Sequence, residues 1–214
     1  MQAVIDCNTA WVKDDNTTER DQVYAHFSEA LKTNPEQINM HCGKDRLTPL
    51  IMAAHFGLVI IVADLLAAGA FATTTDTHGK NATWYAEHSC LSNNPRSCPA
   101  ALALLAKREH LNQLCWSSEQ GTVHTIQPLL TDFLKAGGNI NDQEYDAGSN
   151  GSTPLMFAAY AGNLPVIRLF LELGASTTSK NNNGLTALDW YKNYRERYNP
   201  EIIRLLTPKP THKK

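Results

Sequence analysis

One block of sequence occurs twice in this chain, and it restricts the possible folds more than any average over the residues does. Residues 48–70 begin Thr-Pro-Leu-Ile-Met-Ala-Ala-His-Phe-Gly, continue through Val-Ile-Ile-Val and end Leu-Leu-Ala-Ala-Gly-Ala. Residues 153–175 begin Thr-Pro-Leu-Met-Phe-Ala-Ala-Tyr-Ala-Gly, pass through Val-Ile and end Leu-Phe-Leu-Glu-Leu-Gly-Ala. In both blocks 21 positions separate the threonine from the last glycine. A fixed internal spacing of this kind is the mark of stacked repeats, each too small to bury its own apolar face.

Each feature of the block has a physical reading. Thr48 and Thr153 cap a helix start, and Pro49 and Pro154 suit its first turn, where a missing N–H leaves nothing unpaired. The paired alanines admit close approach of a neighbour, and Gly57 or Gly162 ends the helix in a left-handed conformation. The Val/Ile and Leu/Leu pairs supply the buried stripe of a second helix, which Gly69 or Gly174 terminates. The unit is therefore helix, turn, helix, loop.

Degenerate copies fall in register. Gly79-Lys-Asn-Ala-Thr-Trp-Tyr-Ala86 lies 33 residues after the first block, and Gly184-Leu-Thr-Ala-Leu-Asp189 lies 33 after the second. Leu111 to Gly121, followed by Ile126 to Gly137, reads as a further copy with a longer turn, in which Pro128 fits a late helix start. With its Thr-Pro-Leu opening, Ala-Ala pair and Leu-Leu-x-x-Gly-Ala close, the pattern resembles the ankyrin repeat. The resemblance implies an all-α solenoid of stacked helix-turn-helix units with short hairpin loops. It covers residues 41–207 in five repeats, at about 43–75, 76–108, 109–142, 148–180 and 181–207. Residues 1–40 read as an N-terminal capping helix pair, 91–98 as an insertion, 143–151 as an extended hairpin loop and 208–214 as a disordered basic tail.

By the same resemblance the function is protein–protein recognition through the loop tips and the concave face of the first helices. The tip positions are Lys44, Asp45, Thr77, His78, Lys80, Asn150 and Asn182. The exposed ends of the first helices carry His55, Phe56, His88, Glu119, Gln120, Tyr160 and Tyr194. Phe56 and Tyr160 stand out because aromatics on a polar strip are enriched at binding hot spots; packing against a neighbouring repeat is the competing reading. Trp84 stands where the family commonly has a histidine that ties adjacent loops, and Ile51 and Met156 depart as well, so a weaker loop network is expected. Irregular repeats of this kind also resemble ankyrin proteins that intracellular bacteria deliver into host cells, which would make the chain a secreted effector.

The alternative is an enzyme or metal protein using His78, His88, Cys90 and Cys98, which lie within 21 residues and are ligand types that zinc uses. The paired short spacings of structural zinc sites are absent, and no nucleophile–base signature or phosphate-binding glycine loop is present. No metal, cofactor or catalytic residue is therefore assigned. Five cysteines, odd in number and scattered, read as the usage of a reducing, cytoplasmic compartment, which argues against a Cys90–Cys98 disulfide. The N-terminus shows no signal-peptide pattern, and the run from Leu58 to Ala72 is too short and too interrupted to span a bilayer. With 19 Lys and Arg against 21 Asp and Glu, overall charge excludes nucleic-acid or membrane binding by field alone. Charge is nevertheless uneven: residues 1–36 carry a balance of −4 and residues 180–214 one of +5. Two solvated ends of a monomer explain this, and weak head-to-tail association or a basic landing site for an acidic partner are the functional alternatives.

Overall fold

Helix pairs account for nearly all regular structure in the computed structural model, which describes residues 29, 33, 35–91, 96–144, 150–194 and 199–208. The expected cap pair, the middle of the 143–151 loop and the basic tail beyond Pro208 lie largely outside the described residues. After a short 3-10 turn at Pro35–Asn39 come α1 (Pro49–His55), α2 (Val59–Ala67), α3 (Ala82–His88), α4 (Ser97–Gln120), α5 (Val123–Lys135), α6 (Pro154–Ala161), α7 (Leu164–Glu172), α8 (Ala187–Asn193) and α9 (Pro200–Leu206). Among the described residues no strand forms. Extended pairing is confined to two isolated bridges, Cys42 with Leu47 and Glu144 with Ser152, at the bases of two hairpins. The architecture is the all-α repeat stack that the sequence predicts.

The two strong blocks fold as read. Thr48 sits at the N-cap of α1 and its Oγ1 accepts the Ile51 N–H at 3.2 Å. Gly57 and Gly162 follow the first helices with φ of 62° and 67°. Ala53, Ala54, Ala158 and Ala159 are completely buried. Thr153 holds the same cap backbone, but its Oγ1 is buried with no hydrogen-bond partner. Ile51 and Met156, the departures from the family pattern, are core residues with 1% of their surface exposed.

The chain divides into two compact units, residues 1–109 and 110–214. In the first, α1 packs on both α2 and α3. Its core runs through Leu50, Ile61, Val62, Leu65 and, from the start of α4, Ala101 and Leu105. In the second, α6 packs on α7 and α8, while α5, α7 and α9 follow one another as the outer row. Phe133, Ile126, Leu155, Ile167, Phe170 and Ile202 fill that core, each side chain contributing roughly 1.5–3 kcal/mol by leaving water.

Three sequence expectations need correction. No loop separates the second repeat from the third: α4 runs for 24 residues across position 108, because no proline, glycine or capping residue interrupts it. α5 does not start late at Pro128. Thr122 and Thr125 cap each other at its beginning, and the proline lies inside the helix on its exposed side. Gly121, read as a helix-ending glycine, is not left-handed; it is required by close approach, since a Cβ there would stand 2.6 Å from the Ser117 carbonyl oxygen.

The loop network expected to be weak is built from asparagine and aspartate. Asn39 Oδ1 accepts the Phe71 N–H at 2.8 Å, tying the segment before the first repeat to that repeat, and Asn141 Oδ1 accepts the Ser176 N–H at 2.7 Å, tying one repeat to the next. Asp76 Oδ1 accepts the N–H groups of His78 and Lys80, both at 2.8 Å. Asn181 Oδ1 takes those of Asn183 and Leu185 in the equivalent hairpin.

Candidate interaction surface

The hairpin tips are joined in pairs by the backbone. Within the first unit the Thr77 N–H donates to the Asp45 carbonyl at 3.0 Å, and within the second the Asn182 N–H donates to the Asn150 carbonyl at 2.9 Å. Lys44, Asp45, Thr77 and His78 are thereby brought to one exposed edge, and Asn150 and Asn182 to another. Lys80 is not a free tip residue. Its Nζ lies 4.7 Å from the centre of the Trp84 ring, a cation–π contact.

Trp84 is the hub of a ring cluster on α1 and α3. It stacks on His88 at 5.1 Å with the planes 10° apart and meets Tyr85 edge-on at 5.3 Å. Tyr85 in turn meets His55 at 5.3 Å, and His55 meets Phe56 at 5.1 Å. Of the three members named from sequence, His88 is exposed, whereas His55 and Phe56 are half-buried. Burial holds the His55 ring below the usual histidine pKa, against the opposing effect of its hydrogen bond with the Ser89 backbone. The Tyr85 hydroxyl donates to Asp76 Oδ2 at 2.8 Å. Burial, and then this bond to a carboxylate, push the hydroxyl up to about 12.

The second unit carries a larger and more exposed strip. Trp116, near the end of α4, lies 6.1 Å from Phe157 on α6, which lies 5.9 Å from Trp190 on α8. Tyr160 meets Trp190 at 5.8 Å and Tyr194 at 5.1 Å. Phe157 is the buried base of this strip; Trp116, Tyr160 and Tyr194 are 49%, 38% and 59% exposed. Trp190 Nε1 is buried without a hydrogen-bond partner. Beside Trp116 an open groove of about 450 Å³ is lined by Ser117, Gln120, Gly121, Thr125 and Leu129, so Gln120 joins the strip. Glu119 lies next to it in sequence, its carboxyl raised by burial. Tyr160 and Tyr194 were legible in the sequence, but Trp116 and Trp190 were missed. The available signal for Trp190 was its place 33 residues after Phe157; Trp116 had none, because the long α4 hides its repeat.

The metal alternative loses its ligands. Cys90 and Cys98 form a disulfide with Cα atoms 6.0 Å apart, and among the described residues no group of three or more potential ligands converges. Cys42 is disulfide-bonded too, and Cys115 is a buried cysteine outside any disulfide. The argument from scattered cysteines against a Cys90–Cys98 bond is therefore overturned: the fold holds the two residues at a Cα separation that a disulfide spans. No helix among the described residues is long and apolar enough to cross a membrane.

Comparison with known proteins bears on the repeats directly. A family model described as ankyrin repeats (many copies) matches residues 134–189. The chain is also 28% identical over 165 residues to the Danio rerio protein ZDHHC13, named as a palmitoyltransferase; the match takes in 75% of this chain and 24% of that protein. The chain thus spans about a quarter of the length of that relative. Neither match concerns a bacterial effector. The repeated blocks and the stacked helix pairs thus carry, at residues 134–189, a direct match to ankyrin repeats.

Proposed function

We propose that the chain is a recognition module that binds a partner protein, as a monomer, through the inner helices and hairpin tips, and performs no reaction of its own. The observation that carries this reading is the strip of Trp116, Tyr160, Trp190 and Tyr194. The stack of α6 on α8 needs only the buried side of these helices, yet their other side presents exposed Tyr160 and Tyr194 around the partly buried Trp190, with exposed Trp116 of α4 beside Phe157. Aromatic anchors within a polar surround form the usual core of an interface. Contact with the first unit would run through Phe56, His88 and the tips at Lys44, Asp45, Thr77 and His78. Palmitoyl transfer belongs to the name of the relative, of which this chain covers about a quarter.

Capture of partners by the full chain, followed by alanine substitution, tests the reading. Tyr160→Ala and Trp116→Ala should each weaken binding by about 1–3 kcal/mol, as truncation of a hot spot does, with helical content unchanged. Glu172→Lys on α7 should leave binding intact. Arg168→Glu is a poor control for the outer face, because Arg168 pairs with Glu201 on α9. Binding that survives both alanine variants and is lost with Glu172→Lys would place the interface on the outer helices instead.

A further inference from the structure

The segment that leaves α3 is held from two sides. Toward α1, the Leu91 N–H donates to the His55 carbonyl at 2.6 Å, while the Ser89 N–H still donates to Tyr85 within α3. Toward α4, Cys90, between those two residues, is bonded to Cys98 in the first turn of that helix. One covalent bond therefore ties residues 89–91 to the start of α4 while a backbone hydrogen bond ties them to the His55–Phe56 end of α1. Neither cysteine belongs to the buried core of the first unit.

Exposure singles out this bond among the cysteines. Cys115 is fully buried and Cys42 only 9% exposed, whereas Cys90 and Cys98 are both half-buried. A reductant must reach a sulfur to attack it, so access orders the described cysteines with this pair first. The ring it closes is short, and a short ring constrains the unfolded chain less than a long one. Opening it thus weighs on the local segment more than on the unit as a whole.

We propose that Cys90–Cys98 is a reversible thiol–disulfide site, opened by a dithiol reductant, that fastens or frees residues 89–91 and with them the His55–Phe56 edge of the first unit. In the opening step a thiolate of the reductant attacks one cystine sulfur, and the other cysteine leaves as a thiolate and takes up a proton. The second thiol of the reductant then displaces the remaining cysteine from the mixed disulfide, and that cysteine is protonated in turn. Two electrons pass to the protein, and the reductant ends as a disulfide. The redox step stands independently of the binding reading. Only its consequence for a partner rests on that reading, through Phe56 and His88.

Hydrogen exchange on the full-length chain tests the site without any partner. Dithiothreitol should raise exchange at residues 89–91 by roughly tenfold or more, through local opening, while the interior amides of α1 and α3 keep their protection and reoxidation restores the starting pattern. The Cys90→Ser/Cys98→Ser variant, without reductant, should show the same local rise, and adding reductant should change residues 89–91 no further. Unchanged exchange at Leu91 in both samples overturns the proposal. So does a loss of protection throughout α1 and α3, which would make the bond a structural staple. A failure of alkylation to detect free Cys90 and Cys98 under reductant overturns reversibility, and a further rise in the reduced double variant assigns the effect to Cys42.

Discussion

At the level of single residues, the two strong blocks differ where the sequence makes them look alike. Thr48 donates cap geometry and an accepting oxygen to α1, whereas the Thr153 hydroxyl is buried and unpaired. Thr48→Ala should cost about 1 kcal/mol, while Thr153→Val should be neutral or stabilising, since it removes an unsatisfied buried group; urea unfolding of both variants checks the contrast. Asp76 supplies a pH dependence. Burial pushes its carboxyl up, but hydrogen bonds from the Lys80 N–H, the Tyr85 hydroxyl and the His78 N–H outweigh this and hold it below its ordinary value of 3.8. A depressed folded pKa gives stability that is present above the ordinary value and lost as pH falls below it through the folded value. Asp76→Asn keeps the two accepted backbone bonds, as Asn181 does in the second unit. It should therefore flatten the acid limb of the unfolding curve below pH 3.8; an unchanged limb would assign that limb to other carboxylates. The Asn39 and Asn141 ties went unread because a side chain that bonds a backbone 32 or 35 residues away leaves no local pattern.

Among the helices, those of the two repeated blocks were legible, namely α1, α2, α6 and α7, and α8 was legible from its place 33 residues after the second block. The boundary inside α4 was not, because helix continuity there depends on two cores and not on a local signal. Ala101 and Leu105 serve one core, while Leu111, Leu114 and Cys115 serve the other. α4 also fixes the start of α3. Glu109 Oε1 accepts from Asn81 Nδ2 at 3.1 Å and from Thr83 Oγ1 at 2.7 Å, and Asn81 Oδ1 in turn caps the Trp84 N–H at 2.9 Å. Glu109→Ala should destabilise the first unit by about 1–3 kcal/mol, and Glu109→Gln should recover part of the loss. Exchange at the first amides of α3 reads the effect directly. If α3 keeps its protection in Glu109→Ala, its start is held by the Asn81 cap alone. The candidate surface follows the same logic: Tyr160 and Tyr194 lie on helices whose faces are fixed by their own signals, whereas Trp116 takes its place from the uninterrupted α4.

For the molecule as a whole, the division at residue 109 changes what stability means. In a stack of repeats each unit is supported by its neighbours, so a lesion in one core lowers the stability of the units that share it. The two core clusters of this chain have no buried member in common. Phe133 is completely buried in the second core, with Ile126 and Leu130 on the same helix, and its truncation leaves a cavity that the surrounding helices close only in part. Phe133→Ala should therefore destabilise α5–α9 by about 3–5 kcal/mol, while α1–α3 keep the protection they have in the parent chain. Exchange measured at increasing denaturant separates the alternatives. Two steps, with only the second unit moving to lower denaturant, follow from separate cores. A single step in which α1–α3 open together with α5–α9 would mean that α4 transmits the lesion, and that the chain is one cooperative stack despite its two cores.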